Sequence, residues 1–292
     1  TVQKEQGIIG QEIRMCNDDP GWRVFFNMLS GLYQKHPVRI DIAGTIESIA
    51  QITDDLLYRC YRTFYNLHNM VLAVAGNCTA DQVLEIADEL LKPCEDQKLE
   101  TVFPEESLDI VRPETVESAA VGQTLFNLGI KIAPKTGYAN LKAEMEATIA
   151  MQILAETSSP LYQKMLQEGY INSVFSTEVF NGDGFFTMIF GGESREPRVV
   201  RKEITEALLN AQKNGLDEAL FAECKKSTYG ALVRELNNVS AVTNALVSAH
   251  MAGCGIFDTL HVLSDMTLED CNRFLREEVD VQHMTLSMIE PA

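Results

Sequence analysis

Apolar residues recur at intervals of three and four through most of the chain, and at intervals of two in only a few stretches. The first pattern predicts helices over 2–17, from Pro20 to about Gln34, over 54–66 and over 80–91. Asp19 ahead of Pro20, and Thr45, Thr53 and Thr79, stand where helix N-caps stand; Thr45 opens a short helix. In 80–91, Val83, Leu84, Ala87, Leu90 and Leu91 share one face. The run from Met70 to Gly76 is too short for a buried helix and rich in Val, which predicts a central strand. Residues 92–114 hold Pro93, Pro104, Pro113 and seven acids without any period, the pattern of a linker or an edge-running segment.

Beyond it, Val121 to Ile132 is strand-like, and Leu141, Met145, Ile149 and Ile153 form one stripe of a helix over 139–157. Pro160 opens a helical turn to Glu168, with Ser158 or Ser159 as its cap. Two β-rich segments, 171–180 and 185–191, flank Asn181-Gly-Asp-Gly184, a hairpin signature. Helices are expected at about 197–213, 216–236, 239–252, 259–264 and from Thr267, then a strand from Met284 to Ile289.

The chain also matches itself. Thr53-Asp-Asp-Leu-Leu-Tyr-Arg-Cys-Tyr-Arg62 lies over Thr267-Leu-Glu-Asp-Cys-Asn-Arg-Phe-Leu-Arg276 at a shift of 214 residues (267 − 53). Met70 and Leu72 then fall on Met284 and Leu286, His36 on His250 and Thr45 on Thr259, all without a gap. This reads as an α+β chain of two homologous α/β domains, each with an antiparallel-rich sheet packed on helices. The division is 1–95, a linker at 96–114, and 115–292. The second copy has a front part, 121–191, whose equivalents would precede Thr1 by up to about 100 residues. The first domain is therefore expected to be incomplete and to expose apolar patches that self-associate.

The charge balance narrows the function. With 24 basic against 42 acidic residues the net charge is −18, which argues against nucleic acid as a partner. It suits a cytoplasmic enzyme, or one acting on substrates that carry basic residues. No stretch is long and apolar enough to span a bilayer. Seven widely spaced cysteines with no Cys-x-x-Cys suggest neither a disulfide framework nor a zinc ribbon; most are expected in the core, in a reducing compartment.

Candidate chemistry concentrates at the start. Glu5 and Glu12 stand seven residues apart, almost two helical turns, and so point the same way beside Ile8, Ile9 and Ile13. Two acids on one face can serve a metal or a proton relay, or form a solvated face that pairs with Lys4 or Arg14. At the 214-residue shift they fall on Ala219 and Lys226, so only the first copy carries acids there. His36, before Pro37, reads as a structural loop histidine, and His68 as a cap on the strand entry. Asn181 to Gly184 lacks further acids at calcium-ligand spacing, Ser158-Ser159 lacks a nucleophile elbow, and Cys94 reads as an exposed, inert thiol.

Glu5-x6-Glu12, the Asp18-Asp-Pro20 break, His36-Pro37, Ala43-Gly-Thr45, Phe64-Tyr65, Asn69-Met70 and Gly76-Asn77 together resemble the pitrilysin/insulinase metallopeptidases. Ser159-Pro-Leu-Tyr-Gln163 with Glu168-Gly169 extends the likeness to the second half, and the bacterial processing-protease-like members are the most similar. The resemblance implies a half-clamshell fold and a zinc held by an inverted His-x-x-Glu-His motif plus a downstream glutamate. It places Glu12 as that third zinc ligand and Glu5 as the acid that orients a ligand histidine. None of the five histidines (His36, His68, His250, His261, His283) forms the motif, which would lie in the front part. The implied function is zinc-dependent endopeptidase action on short or unfolded peptides, of which this chain is an incomplete portion, inactive alone. The implied partners are a peptide, a second homologous half and an N-terminal fragment. The alternative is a catalytically silent scaffold or substrate clamp of the same fold.

Overall fold

The computed structural model describes residues 2–292. Its one sheet is built in the second half from β1 (Glu114–Ala119), β2 (Leu125–Lys131), β3 (Ser176–Gly182), β4 (Phe185–Glu193) and β5 (Met284–Pro291). The strand order is β1-β5-β2-β4-β3. β1 runs parallel to β5, and the other neighbours are antiparallel. The hairpin between β3 and β4 turns on Asp183-Gly184, with Gly184 at φ +79°, as the Asn-Gly-Asp-Gly signature requires.

Period-two alternation divides the sheet into two faces. Phe126, Leu128, Ile130, Phe186, Leu286 and Met288 point into the main core. That side is closed by helices α6 (Gly137–Ala155), α8 (Pro197–Asn214) and α12 (Leu268–Glu278), with α7 (Pro160–Gln167), α9 (Glu218–Glu235) and α11 (Asp258–Asp265) around them. α6 is apolar on nearly every side, and its buried positions include Met145, Ile149 and Ile153. α10 (Val239–Met251) follows α9 and has no fully buried residue.

The opposite face is covered by a helix from the start of the chain. After α1 (Val2–Asp18), α2 (Pro20–Leu32) lies across β5 and β2, with Met28, Leu29 and Leu32 fully buried. Asp19 caps α2 by accepting the N–H of Gly21 and Trp22, and Pro20 fills the first turn. α3 (Ile46–Ile49), α4 (Asp54–Phe64) and α5 (Ala80–Leu90) follow, capped by Thr45, Thr53 and Thr79.

The structure corrects several expectations. Met70 to Gly76 forms no strand: a strand exists through its partners, and none of the described strands pairs with it. The segment 171–175 is a loop ahead of β3. β1, whose first residue falls within the expected linker, is an edge strand with an alternating, half-exposed pattern too weak to stand out. Only Cys224 and Cys271 of the seven unpaired cysteines are buried, while Cys60, Cys78 and Cys94 are exposed. No helix among the described residues is long and apolar enough to cross a membrane.

The stretch between α5 and β1 has no helix or strand, yet it is fastened at both ends. Asn66 and His68 bond the Glu95 and Cys94 carbonyls. Further on, the Glu106 carboxylate accepts the backbone N–H of Gln34, Lys35 and His36 and meets the buried Lys131 ammonium at 2.7 Å. Burial pushes the Glu106 carboxyl up, but Lys131 and the three N–H groups outweigh it and bring it to about 2, against an ordinary 4.5. A folded-state value below the unfolded one means stability that is present above about pH 4.5 and is lost as pH falls toward 2. Glu106→Gln, which strands a buried cation, is expected to cost about 3–5 kcal/mol in urea denaturation at pH 7. It should also flatten the acid limb of the stability curve; an unchanged midpoint at pH 7 would contradict this account.

Candidate functional site

α1 is amphipathic in a way that leaves one stripe without a cover. Its inner side carries Gly10 and Ile13, both buried. Gln6 Nε2 donates to the Ile49 and Ile52 carbonyls at 3.0 Å each, and the bare Cα of Gly10 lets Ile46 approach. The outer side presents Glu5, Ile8, Ile9, Glu12 and Met15, all exposed. The seven-residue spacing does put both carboxylates on one face, set among apolar side chains.

The second half shows what lies over such a face. α4 and α12 begin and end at the same 214-residue shift, and so do the short 3-10 turns at 67–69 and 281–283, capped by Asn66 and Asp280. The helices before them follow another shift. α2 and α10 are both 13 residues long, and their caps Asp19 and Asn238 differ by 219 (238 − 19). Side-chain bonding fixes the same shift for α1 and α9. Gln6 donates to the Ile52 carbonyl, and Lys225 (225 − 6 = 219) donates to that of Met266, the residue equivalent to Ile52.

The gap-free match is therefore corrected, because the loop between these helix pairs is five residues longer in the first copy. Glu5 corresponds to Cys224 and Glu12 to Ala231, not to Ala219 and Lys226, and His36 does not correspond to His250. Both equivalents remain non-acidic. Cys224 is buried in the core that α6 shares, and Thr228, equivalent to Ile9, donates to Gln152 of α6 at 3.0 Å. The Glu5/Glu12 stripe is thus the side of α1 on which the second copy carries α6.

The same comparison runs through the rest of the first copy. Leu286 is 0% exposed and its equivalent Leu72 is 67% exposed; Cys271 is 0% and Leu57 49%. Met70, Val74, Tyr58 and Tyr61 are exposed where Met284, Met288, Asn272 and Leu275 are buried. α4 and α5 have no buried residue at all. Leu57, Tyr58, Tyr61, Phe64 and Tyr65 line an open groove of about 620 Å³. Side chains of core type stand where a sheet and a helix would cover them.

Glu5 and Glu12 suit zinc by donor type, as the carboxylate share of a ligand set. Among the described residues no three His, Cys, Asp or Glu side chains converge on one point, so the chain's own donors do not complete a set. His36 is structural: buried, stacked on Phe103, with Nδ1 accepting the Val38 N–H and Nε2 against the Asp183 carbonyl. His68 lies in the short turn after α4 and does not bear on Glu5. Ser159 caps α7 by accepting the Tyr162 N–H. Cys94 is exposed, with Sγ toward Asn66 Oδ1.

The family model described as the Peptidase M16 inactive domain matches residues 51–228. A protein called uncharacterized zinc protease YmfH, from Bacillus subtilis, is 34% identical over all of this chain and 69% of its own length. The crystal structure of an M16-like peptidase from Alicyclobacillus acidocaldarius superposes with a TM-score of 0.95 at 32% identity, over 100% of this chain and 70% of that one. The first half of the periplasmic protease PqqL from Escherichia coli shares the fold, with a TM-score of 0.74 at 14% identity over 99% of this chain and 65% of that one. The chain spans about two-thirds of the length of the curated relatives it matches.

Proposed function

Because this chain belongs to the peptidase M16 family, we propose that it is the downstream part of a zinc-dependent endopeptidase acting on short or unfolded peptides. The observation that carries the reading is the uncovered stripe of α1, where two carboxylates replace the neutral Cys224 and Ala231 of the other copy. In this reading residues 1–95 belong to a first, metal-bearing domain, 96–114 link the two, and 115–292 form a second, non-catalytic one. A preceding segment would supply the strands that flank 70–76 and an α6-like helix over α1. With two histidines on that helix, Glu12 is the third ligand of the zinc, and Glu5 orients a ligand histidine through its second ring nitrogen. When bound, the metal supplies Lewis acidity and an activated water. Glu12 contributes negative charge and one fixed direction of approach, while Ile8 and Ile9 keep the surroundings apolar.

A second homologous half is the expected partner; one neighbour is itself named the first half of a protease. Substrates would enter between the halves and pair with a sheet edge. A cytoplasmic setting is consistent with seven unpaired cysteines. The matched family model carries the word inactive, which supports a second reading, a silent scaffold or clamp subunit.

Metal analysis and peptide cleavage decide between them. The polypeptide extended upstream by about 100 residues, the span implied by the repeat, should bind one zinc and cleave unfolded peptides. This chain alone should do neither. An extended protein that folds, binds no zinc and cleaves nothing would leave the scaffold reading.

A further inference from the structure

We infer that the second unit is the frame that fixes the direction of the Glu5/Glu12 helix, acting through α2, with Gly31, Thr285, Arg23 and Glu117 as positioning residues. The inference rests on the zinc reading of those acids.

α1 packs on α2 and α3, and its connection to α2 is one residue long. Asp19 donates to the Cys16 carbonyl at 3.1 Å, and its own carbonyl accepts from Arg23 at 3.1 Å. Its side chain accepts from Gly21 at 2.8 Å. These bonds hold Asp19 in the last turn of α1 and the first turn of α2 at once, and with the one-residue connection and the packing of the two helices they leave α1 little freedom to turn against α2.

α2 is in turn set closely on the second sheet. A methyl group at Gly31 would stand 2.7 Å from Thr285 Oγ1, and Thr285 cannot turn away freely because it donates to the Arg112 carbonyl at 2.7 Å. Near the elbow, Arg23 bonds Glu117 of the edge strand β1 through both Nε and a terminal nitrogen. Trp22 Nε1 donates to Asp41 at 2.6 Å, tying α2 to the loop before α3.

The lever is long enough to matter. Glu12 lies seven residues from Asp19, about 10 Å along the helix, so a tilt of about 5° moves it by about 0.9 Å. Metal-ligand distances tolerate about 0.2 Å.

The test uses the upstream-extended protein carrying Gly31→Ala, Thr285→Ala, or both, since removing the Thr285 hydroxyl and methyl makes room for the new methyl. Zinc affinity by chelator competition, the visible spectrum of the cobalt-substituted protein, kcat and KM are read beside thermal unfolding of the metal-free form. Gly31→Ala should weaken zinc about tenfold, change the cobalt spectrum and lower kcat with KM kept. The double variant should restore all three. Arg23→Glu should weaken the metal in the same way and be rescued by Glu117→Arg, a second pair should Gly31→Ala fold poorly. A wild type that binds zinc, with affinity and spectrum untouched by these single changes or not restored by the pairs, overturns the inference alone. A wild type without zinc overturns the underlying reading and the inference with it.

Discussion

Glu12→Gln in the upstream-extended protein is expected to lower zinc affinity and kcat/KM by on the order of a hundredfold or more, with stability kept. Ligand charge and geometry both matter: an amide oxygen is a weaker donor to zinc than a carboxylate, and it adds no negative charge to hold the cation. Residue 12 is exposed and on the outer stripe, so the substitution should leave α1 intact. Glu5→Gln should cost less, about 10–100-fold, because it acts on a ligand and not on the metal. Isothermal titration with zinc and peptide cleavage measure both. If Glu12→Gln binds zinc and turns over like the wild type, Glu12 is not a ligand, whatever its position on the helix.

The second large effect is an asymmetry between two leucines at equivalent positions. Leu286→Ala should destabilise this chain by about 2–5 kcal/mol, the usual cost of a cavity in a packed core. Leu72→Ala should cost almost nothing here, since Leu72 stands 67% exposed. In the upstream-extended protein the same substitution should become as costly as that of Leu286, because Leu72 would then be covered. Denaturant unfolding of the three variants beside their two parents checks the asymmetry. An appreciable cost for Leu72→Ala in this chain would mean that another surface, such as a second copy, already covers the face. Light scattering shows this directly, since exposed core-type side chains of this density favour self-association.

Much of the fold is legible in the sequence where the cause is local. Caps at Asp19, Thr45, Thr53, Thr79 and Ser159 announce their helices, and the Asn-Gly-Asp-Gly run announces the β3–β4 hairpin. The two copies show themselves through α4 and α12, because nothing is inserted within that block. Non-local causes are where sequence reading fails. Met70 to Gly76 has the composition of a central strand, but composition does not supply a partner. The five-residue difference between the loops is invisible while both flanks remain helical; the matching lengths and caps of α2 and α10 and the matching bonds from Gln6 and Lys225 expose it. The Lys131–Glu106 pair, 25 residues apart, bears no mark of its burial in the sequence. Of the candidate site, the shared face of Glu5 and Glu12 and the apolar Ile8 and Ile9 beside them follow from spacing; that the other copy carries α6 over the equivalent face does not.

The path of α2 also governs the order in which the second unit can form during synthesis. β5 is an interior strand of the sheet, between β1 and β2, yet it is made after every other strand. The helix that closes the far face is made before all of them, and Gly31 must find Thr285 across more than 250 residues of chain (285 − 31). A pairing this distant carries a large loop-closure cost before any contact rewards it. On the ribosome, α2 and the β2–β4–β3 ribbon therefore emerge with sticky faces and wait, so a nascent-chain chaperone has most to shield in the interval before β5 appears.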